Sequence, residues 1–366
     1  MSNKTVLYIH IPFCESKCPY CDFFSVAANS NKKELYVKRI TEAVKFWAEK
    51  CDSNISSVYF GGGTPNMIGS ENLCKILTAV KKSFKLDSDA EITTELNPNC
   101  ANSFDFSALI SAGFNRLSFG MQSAENRELK ILGRSHSLQD VTVAVKKAKS
   151  AGFNNISIDI MLGIPAQNEK SLAKSIRFCK DQGVTHISAY ILKVEKGTPF
   201  YKNIDNLNIP DGDRQADLYN YAVENLETSG YMQYEISNFA KQGFESRHNL
   251  NYWECGEYIG IGPSAYSFFN GERFHYSRSF KDFYNNIIVN DGPGGDKEEY
   301  IMLNLRLNKG LNFKEYQSRF NEGFPVCKVK TAEKYMKAGF LTVDKQGIRL
   351  NYKGFLVSNK IISDLM

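Results

Sequence analysis

The sequence predicts an α/β chain: a partial barrel of six β/α units followed by a small C-terminal, winged-helix-like α+β domain. Three observations predict it. Short β-rich runs alternate with helix-length amphipathic stretches over residues 5–195, the pattern of parallel β/α units. Several of those stretches end at a glycine just before the next strand, at Gly113, Gly152 and Gly183, as helices close on a left-handed residue. Polar or glycine residues also recur at the C-terminal end of strand after strand.

In order, the strands read TVLYIHI, SSVYFGG, EITTEL, RLSFGMQ, NISIDIML and HISAYIL, all rich in β-branched and aromatic residues. The helices between them are expected at about 32–50, 70–84, 103–112, 136–150 and 168–182. The strand ends carry Gly61–Thr64, Glu95, Gln122, Asp159 and Tyr190. An acidic residue after one strand is ordinarily a loop or cap group. Repetition on consecutive strands points to a shared site, because barrels of this kind work at that end.

Residues 1–195 thus read as the barrel core. Residues 196–295 read as an irregular, aromatic-rich extension, with a helix at about 211–229 and the runs YEISNF and HNLNYWECGEYIGIGPSAYS. The stretch DGPGGD at 291–296 reads as a linker. Residues 296–366 read as three helices, two short strands around Lys345-Gln346-Gly347 and a final helix. Such domains often bind DNA, but no helix here is strongly basic, so a structural or protein-contact role is expected.

Composition narrows the class. An apolar fraction of 42% suffices for a sizeable core. No apolar run reaches the roughly 18 residues of a membrane span. The start, MSNKTVLYIHIPF, lacks the features of a secretory signal, so a cytoplasmic protein is expected. The net charge of +5 comes without a block of like charges, so nucleic-acid binding is not expected.

The most specific chemistry lies in CESKCPYC, which places Cys14, Cys18 and Cys21 directly after the first strand. Nine cysteines, an odd number with no secretory signal, do not suggest a disulfide framework. A structural zinc site would use four ligands in paired blocks, and only one block exists. Three thiolates from one loop suit a [4Fe–4S] cluster with one iron open to a small molecule. Cys51, Cys74, Cys100, Cys179, Cys255 and Cys327 are scattered and read mostly as small buried apolar residues. GGGTP at 61–65 would let a ligand approach the backbone and would expose N–H groups. It lacks the Lys and Ser/Thr of a phosphate loop.

Together, CxxxCxxC and GGGTP resemble the radical S-adenosylmethionine (SAM) superfamily. YIHIPFC, VYFGGGTP, TELNP, RLSFGMQS, LGRSH, IDIMLGIPAQ, HNLNYW and GIGPSAYS, in that order, resemble its oxygen-independent coproporphyrinogen III dehydrogenase family, and within that the HemW branch of haem chaperones. The resemblance implies that Cys14, Cys18 and Cys21 hold a [4Fe–4S] cluster whose fourth iron is chelated by SAM. It implies that Tyr20 packs near the adenine, and that Tyr8, Gly62, Gly63, Thr64, Glu95, Gln122, Arg134 and Asp159 contact SAM. Glu95 and Asp159 can accept from hydroxyl or amino groups, and Arg134 can fork a carboxylate. Taken alone, Arg134 reads as a surface ion pair.

Two departures from the dehydrogenase pattern point to the chaperone branch. Dehydrogenases carry a further cysteine two residues after the third, where this chain has Phe23. They also carry a longer N-terminal extension, and here 13 residues precede Cys14. HNLNYW matches the haem motif of the chaperone branch, which implies His248 as an iron ligand with Tyr252 and Trp253 flanking the porphyrin. On the residues alone, a histidine hydrogen-bonded inside the segment is the plainer reading. The expected ligands are therefore the cluster, SAM and haem. The expected partner is a haem-acceptor protein, a respiratory haem protein at the membrane, reached by peripheral contact. The alternative is an enzyme that decarboxylates coproporphyrinogen III, and no catalytic residue is assigned.

Overall fold

The computed structural model describes residues 4–99 and 104–366. Cys100 and residue 103, the expected start of the third helix, lie outside the described residues. Six parallel strands carry the fold: β1 (Lys4–Ile11), β2 (Asn54–Gly62), β3 (Leu86–Leu96), β4 (Arg116–Gln122), β5 (Asn155–Leu162) and β6 (His186–Ile191). They pair side by side in chain order, each parallel to the next. Leu7, Ile9 and Ile11 on β1 and Val58 and Phe60 on β2 are fully buried, one face of each strand, as expected for a sheet covered on that side.

The connecting helices supply that cover. The helix Ser30–Ala48 buries Tyr36, Val37, Ile40, Val44 and Trp47, a stripe at helical spacing. Helices follow at Gly69–Ser83, Phe106–Ala112, Leu138–Ser150 and Glu169–Asp181. Ser137 and Asn168 begin the last two with reciprocal capping boxes. Gly113 closes its helix at φ 106°, and Gly152 and Gly183 also take positive φ. A short helix at Asn126–Ile131 was not anticipated, and it carries the chain to Arg134.

The segment 196–295 differs from its irregular expectation. Beyond a helix at Gly212–Thr228 it contains six strands: β7 (Met232–Glu235), β8 (Asn238–Ala240), β9 (Glu257–Ile261), β10 (Tyr266–Phe269), β11 (Glu272–Tyr276) and β12 (Ile288–Pro293). They extend the sheet at both edges, giving twelve strands in the order β12-β11-β10-β9-β1-β2-β3-β4-β5-β6-β8-β7. Asp291, Gly292 and Pro293 complete β12, so only residues 294–296 of the expected linker precede the next helix.

The C-terminal part is winged-helix-like. Helices Lys297–Asn304, Phe313–Phe320 and Val326–Lys337 pack with a three-stranded sheet, β13 (Leu311–Asn312), β14 (Leu341–Val343) and β15 (Gly347–Leu350). Two short helices, Tyr352–Leu356 and Ser358–Leu365, end the chain. Gly347 begins β15 because a Cβ there would stand 1.9 Å from the Leu311 carbonyl oxygen. Among the described residues no helix is long and apolar enough to cross a membrane.

Candidate functional site

A pocket opens at the C-terminal ends of β1 to β6, with about 1080 Å³ of space partly open to solvent. Cys14, Cys18, Cys21, Tyr20, Gly62, Gly63, Thr64, Glu95, Gln122, Arg134 and Asp159 all line it. Of the residues that the resemblance implies for SAM, only Tyr8 does not. It lies behind the wall, its hydroxyl 3.0 Å from His10 Nδ1 and its ring stacked on Tyr59.

The cysteine loop is held from below. His10 Nε2 donates to the Phe24 carbonyl at 3.1 Å, so Nδ1 accepts from Tyr8. Burial lowers the His10 pKa to about 4, which keeps the ring neutral. The Cys14 and Val26 amides both donate within the loop, closing it on itself. Cys14 Sγ stands 3.4 Å from Thr64 Oγ1.

The glycine run does not present free amides as expected. Gly63 N–H donates to Ile11 at 2.9 Å, Thr64 N–H donates to Phe13 at 2.7 Å, and Gly62 N–H donates to Glu95 Oε2 at 3.2 Å. Glycine is needed because the loop packs on β1. A Cβ at Gly63 would lie 2.8 Å from the Phe13 oxygen, and one at Gly62, whose φ is 110°, would lie 2.3 Å from the His10 ring.

Two carboxylates, Glu95 and Asp159, line the pocket close enough to interact. Glu95 accepts from Tyr59 at 2.9 Å, and Asp159 accepts from Ser118 at 3.0 Å. Burial, then the nearby Asp159, pushes the Glu95 pKa up to about 7 against its hydrogen bonds. Burial also raises Asp159, offset by its bonds to Ser188 and Ser118 and by Arg116 and Arg134. Two half-buried acids of raised pKa await a cation or a donor-rich ligand.

Arg134 is a half-buried pocket residue, not the surface ion pair it resembles in isolation. Its Nη2 donates to the Gly120 carbonyl at 3.0 Å, and Nη1 points at Cys18 Sγ at 4.0 Å. Nε is buried without a partner. Burial opposes its charge, but Tyr20 and Cys18 hold its pKa above the ordinary value. Gln122 takes a left-handed φ of 69° at a register shift in β4, and it accepts from Tyr190 at 2.6 Å. Strain of this kind is typical of ligand sites. Ser118 and Gly120 also line the pocket but were not singled out from the sequence. Their signal was the two-residue period of β4, which puts 118, 120 and 122 on one face.

These residues fit the cluster and SAM. Three half-buried thiols share one pocket with an unpaired arginine N–H and two half-buried acids. Among the described residues no three His, Cys, Asp or Glu side chains converge on a single metal ion. A four-iron cluster makes no such demand, since each thiolate binds a different iron.

His248 and Tyr252 lie elsewhere. The helix Arg247–Trp253 packs beside Ser57 and Glu91, earlier along β2 and β3 than the pocket residues. Glu91 accepts from the His248 amide, the Arg247 amide and the Ser246 hydroxyl. His248 is 1% exposed. Its Nδ1 is 2.7 Å from Ser57 Oγ, its Nε2 is 2.8 Å from the Tyr252 hydroxyl, and its ring stacks on Tyr59. Trp253 packs under the Arg306 guanidinium. The structure therefore joins His248 to Tyr252 by a hydrogen bond, with His248 buried and Tyr252 half-buried.

Residues 8–179 match the Radical SAM superfamily, and residues 297–357 match the HemN C-terminal domain. Heme chaperone HemW of Bacillus subtilis (strain 168) is 33% identical over 371 residues, covering 97% of each chain. Radical S-adenosyl methionine domain-containing protein 1, mitochondrial, of Bos taurus is 31% identical over 393 residues, covering 100% of this chain and 88% of its own. Among solved structures, coproporphyrinogen III oxidase (HemN) from Escherichia coli aligns with a TM-score of 0.84 at 20% identity, covering 99% of this chain and 90% of its own. That likeness speaks to the fold. With one relative a third identical along nearly its whole length, the chain belongs to the HemW family of the radical SAM superfamily.

Proposed function

We propose that this protein is a haem chaperone built on a radical SAM scaffold. The observation that carries the reading is Phe23. It is 67% exposed at the pocket rim, two residues after Cys21, where the dehydrogenase pattern has a further cysteine. The naming of the Bacillus subtilis relative as a haem chaperone supports it.

In this reading Cys14, Cys18 and Cys21 hold a [4Fe–4S] cluster, which with SAM supplies one-electron chemistry when bound. Arg134 orients the SAM carboxylate through its free N–H, and Glu95 accepts from the amino group. Asp159 takes hydroxyls, and Tyr20, beside Phe200, shields the adenine. Thr64 keeps the glycine loop in register with Cys14, and Gln122 holds Tyr190 at the wall. Haem is cargo, passed to an acceptor such as a respiratory haem protein through peripheral membrane contact. A cytoplasmic location and no nucleic-acid partner complete the reading.

The test is haemin titration of cluster-reconstituted protein beside Cys14→Ala. Both should give a saturable Soret change, and only Cys14→Ala should lack the cluster absorbance. Absence of saturable haem binding by the intact protein would overturn the reading.

A further inference from the structure

Resting on that reading of the pocket, we infer that Tyr59 is a positioning residue of the SAM site, holding the Glu95 carboxylate over Gly61 for the SAM amino group. Tyr59 does not line the pocket itself, so it acts only through Glu95. Its hydroxyl donates to Glu95 Oε1 at 2.9 Å, and the Gly62 N–H donates to Oε2 at 3.2 Å. Each carboxylate oxygen thus has one donor from β2, which fixes the orientation of the group before a ligand arrives. A carboxylate oxygen can accept a second hydrogen bond, so both keep room for a ligand donor.

Gly61 completes the seat. A Cβ there would lie 3.0 Å from Tyr59 Cε1 and 3.1 Å from both the Glu95 carboxyl carbon and Oε2. The first glycine of the run therefore makes room for the Tyr59–Glu95 pair, whereas Gly62 and Gly63 make room for β1 and the start of the cysteine loop. The Tyr59 ring is braced in turn. It stacks on His248, with centroids 5.0 Å apart and planes at 28°, and on Tyr8, with centroids 6.4 Å apart. Ser57 and the Tyr252 hydroxyl engage both nitrogens of that histidine, so the brace is itself held. A phenol fixed in this way loses little freedom when it bonds Glu95, which makes its one hydroxyl effective.

The hydroxyl also bears on the charge of Glu95. Burial first, then Asp159 on β5, push the Glu95 pKa up to about 7, while the Tyr59 and Gly62 bonds and Arg116 on β4 act the other way. Tyr8 on β1 and Tyr252 on the helix Arg247–Trp253 also lie within reach of Glu95. Both stay neutral, because burial above all raises their pKa well above the ordinary value. The Tyr59 pKa is raised likewise, by burial and then by Glu95, so its hydroxyl remains a donor. Without that hydroxyl, burial and Asp159 are less opposed. Glu95 then ionises at higher pH and takes the amino group less well near neutrality.

The experiment is SAM titration of the full chain with its cluster in place, at several pH values from mildly acid to alkaline, read by the EPR spectrum of the reduced cluster. Wild type, Tyr59→Phe and Gly61→Ala are compared. Tyr59→Phe should bind SAM about ten-fold more weakly near neutral pH, the scale of one hydrogen bond to a charged group. The deficit should close toward alkaline pH, with the midpoint of the profile about one pH unit higher. Gly61→Ala should weaken SAM at every pH, because ionisation does not restore a displaced carboxylate. Wild-type affinity in either variant overturns the assignment. So does a deficit in Tyr59→Phe that is equal at every pH, the mark of a merely structural ring. Infrared titration of the Glu95 carboxyl in ligand-free protein, with Glu95→Gln subtracted, reads the same shift without SAM. A raised midpoint there, in a protein that leaves SAM unbound, would uphold Tyr59 and bring down the SAM reading, whereas an unmoved midpoint would bring down Tyr59 alone.

Discussion

Arg134 points its Nη1 at the sulfur of Cys18, 4.0 Å away, while Nη2 holds the Gly120 carbonyl of β4. One side chain thus joins the cysteine loop to the fourth strand and keeps its Nε free for a ligand. Arg134→Gln should retain most of the cluster but bind SAM about ten-fold or more weakly, from the ~1.5–3 kcal/mol of a hydrogen bond to a charged group. The check is the EPR spectrum of the reduced cluster titrated with SAM. An unchanged midpoint would remove Arg134 from the site.

Glu95 gives the site a pH dependence. Its pKa is pushed up to about 7, so the carboxyl is largely protonated below that value. Only the ionised form is a full acceptor for the SAM amino group. SAM affinity should therefore rise as pH increases from about 6 to about 8, with proton release on binding. Without ligand the sign for folding is opposite. The folded pKa exceeds the ordinary carboxyl value of 4.5, so the stability Glu95 contributes in acid is lost as pH rises through about 7. Glu95→Gln should flatten the SAM profile, and calorimetry in buffers of different ionisation heat checks it. A slope that persists in Glu95→Gln assigns the proton elsewhere.

Gly63→Val should cost the cluster as well as SAM. The added Cβ meets the carbonyls of Ile11 and Phe13, the two backbone groups that lead into Cys14. Iron and sulfide content per chain measures this. A full cluster in Gly63→Val would show that the loop yields without cost.

His248→Ala should act on stability. It opens a cavity and leaves Ser57 and the Tyr252 hydroxyl without their partner, which costs about 2–4 kcal/mol. Burial lowers the His248 pKa from 6.5 to about 3. The stability it provides is whole above 6.5 and is lost as pH falls toward 3. The variant should therefore unfold in less denaturant at neutral pH yet show a shallower loss in acid. Equal acid sensitivity in the two proteins would contradict the burial.

The barrel was legible because its signals are local. Strands such as NISIDIML carry one apolar face, Ile156, Ile158, Ile160 and Leu162, and Gly113, Gly152 and Gly183 mark where helices stop. Strands β7 to β13 escaped because they are two to six residues long and owe their form to distant partners, as Leu311 does to Ile348. At the site, Glu95, Gln122 and Asp159 were marked by their place at strand ends, and they share the pocket. What could not be read was direction and bonding: that Tyr8 and His248 turn inward, and that the glycine amides are spent on β1.

The most direct test is anaerobic turnover of the cluster-loaded protein with reductant, SAM and coproporphyrinogen III. The pocket rim carries Phe23 in place of the further cysteine, so protoporphyrinogen IX should not form above the protein-free control, while the same preparation binds haem. Catalytic formation of protoporphyrinogen IX would contradict the account and make this chain an oxidative decarboxylase.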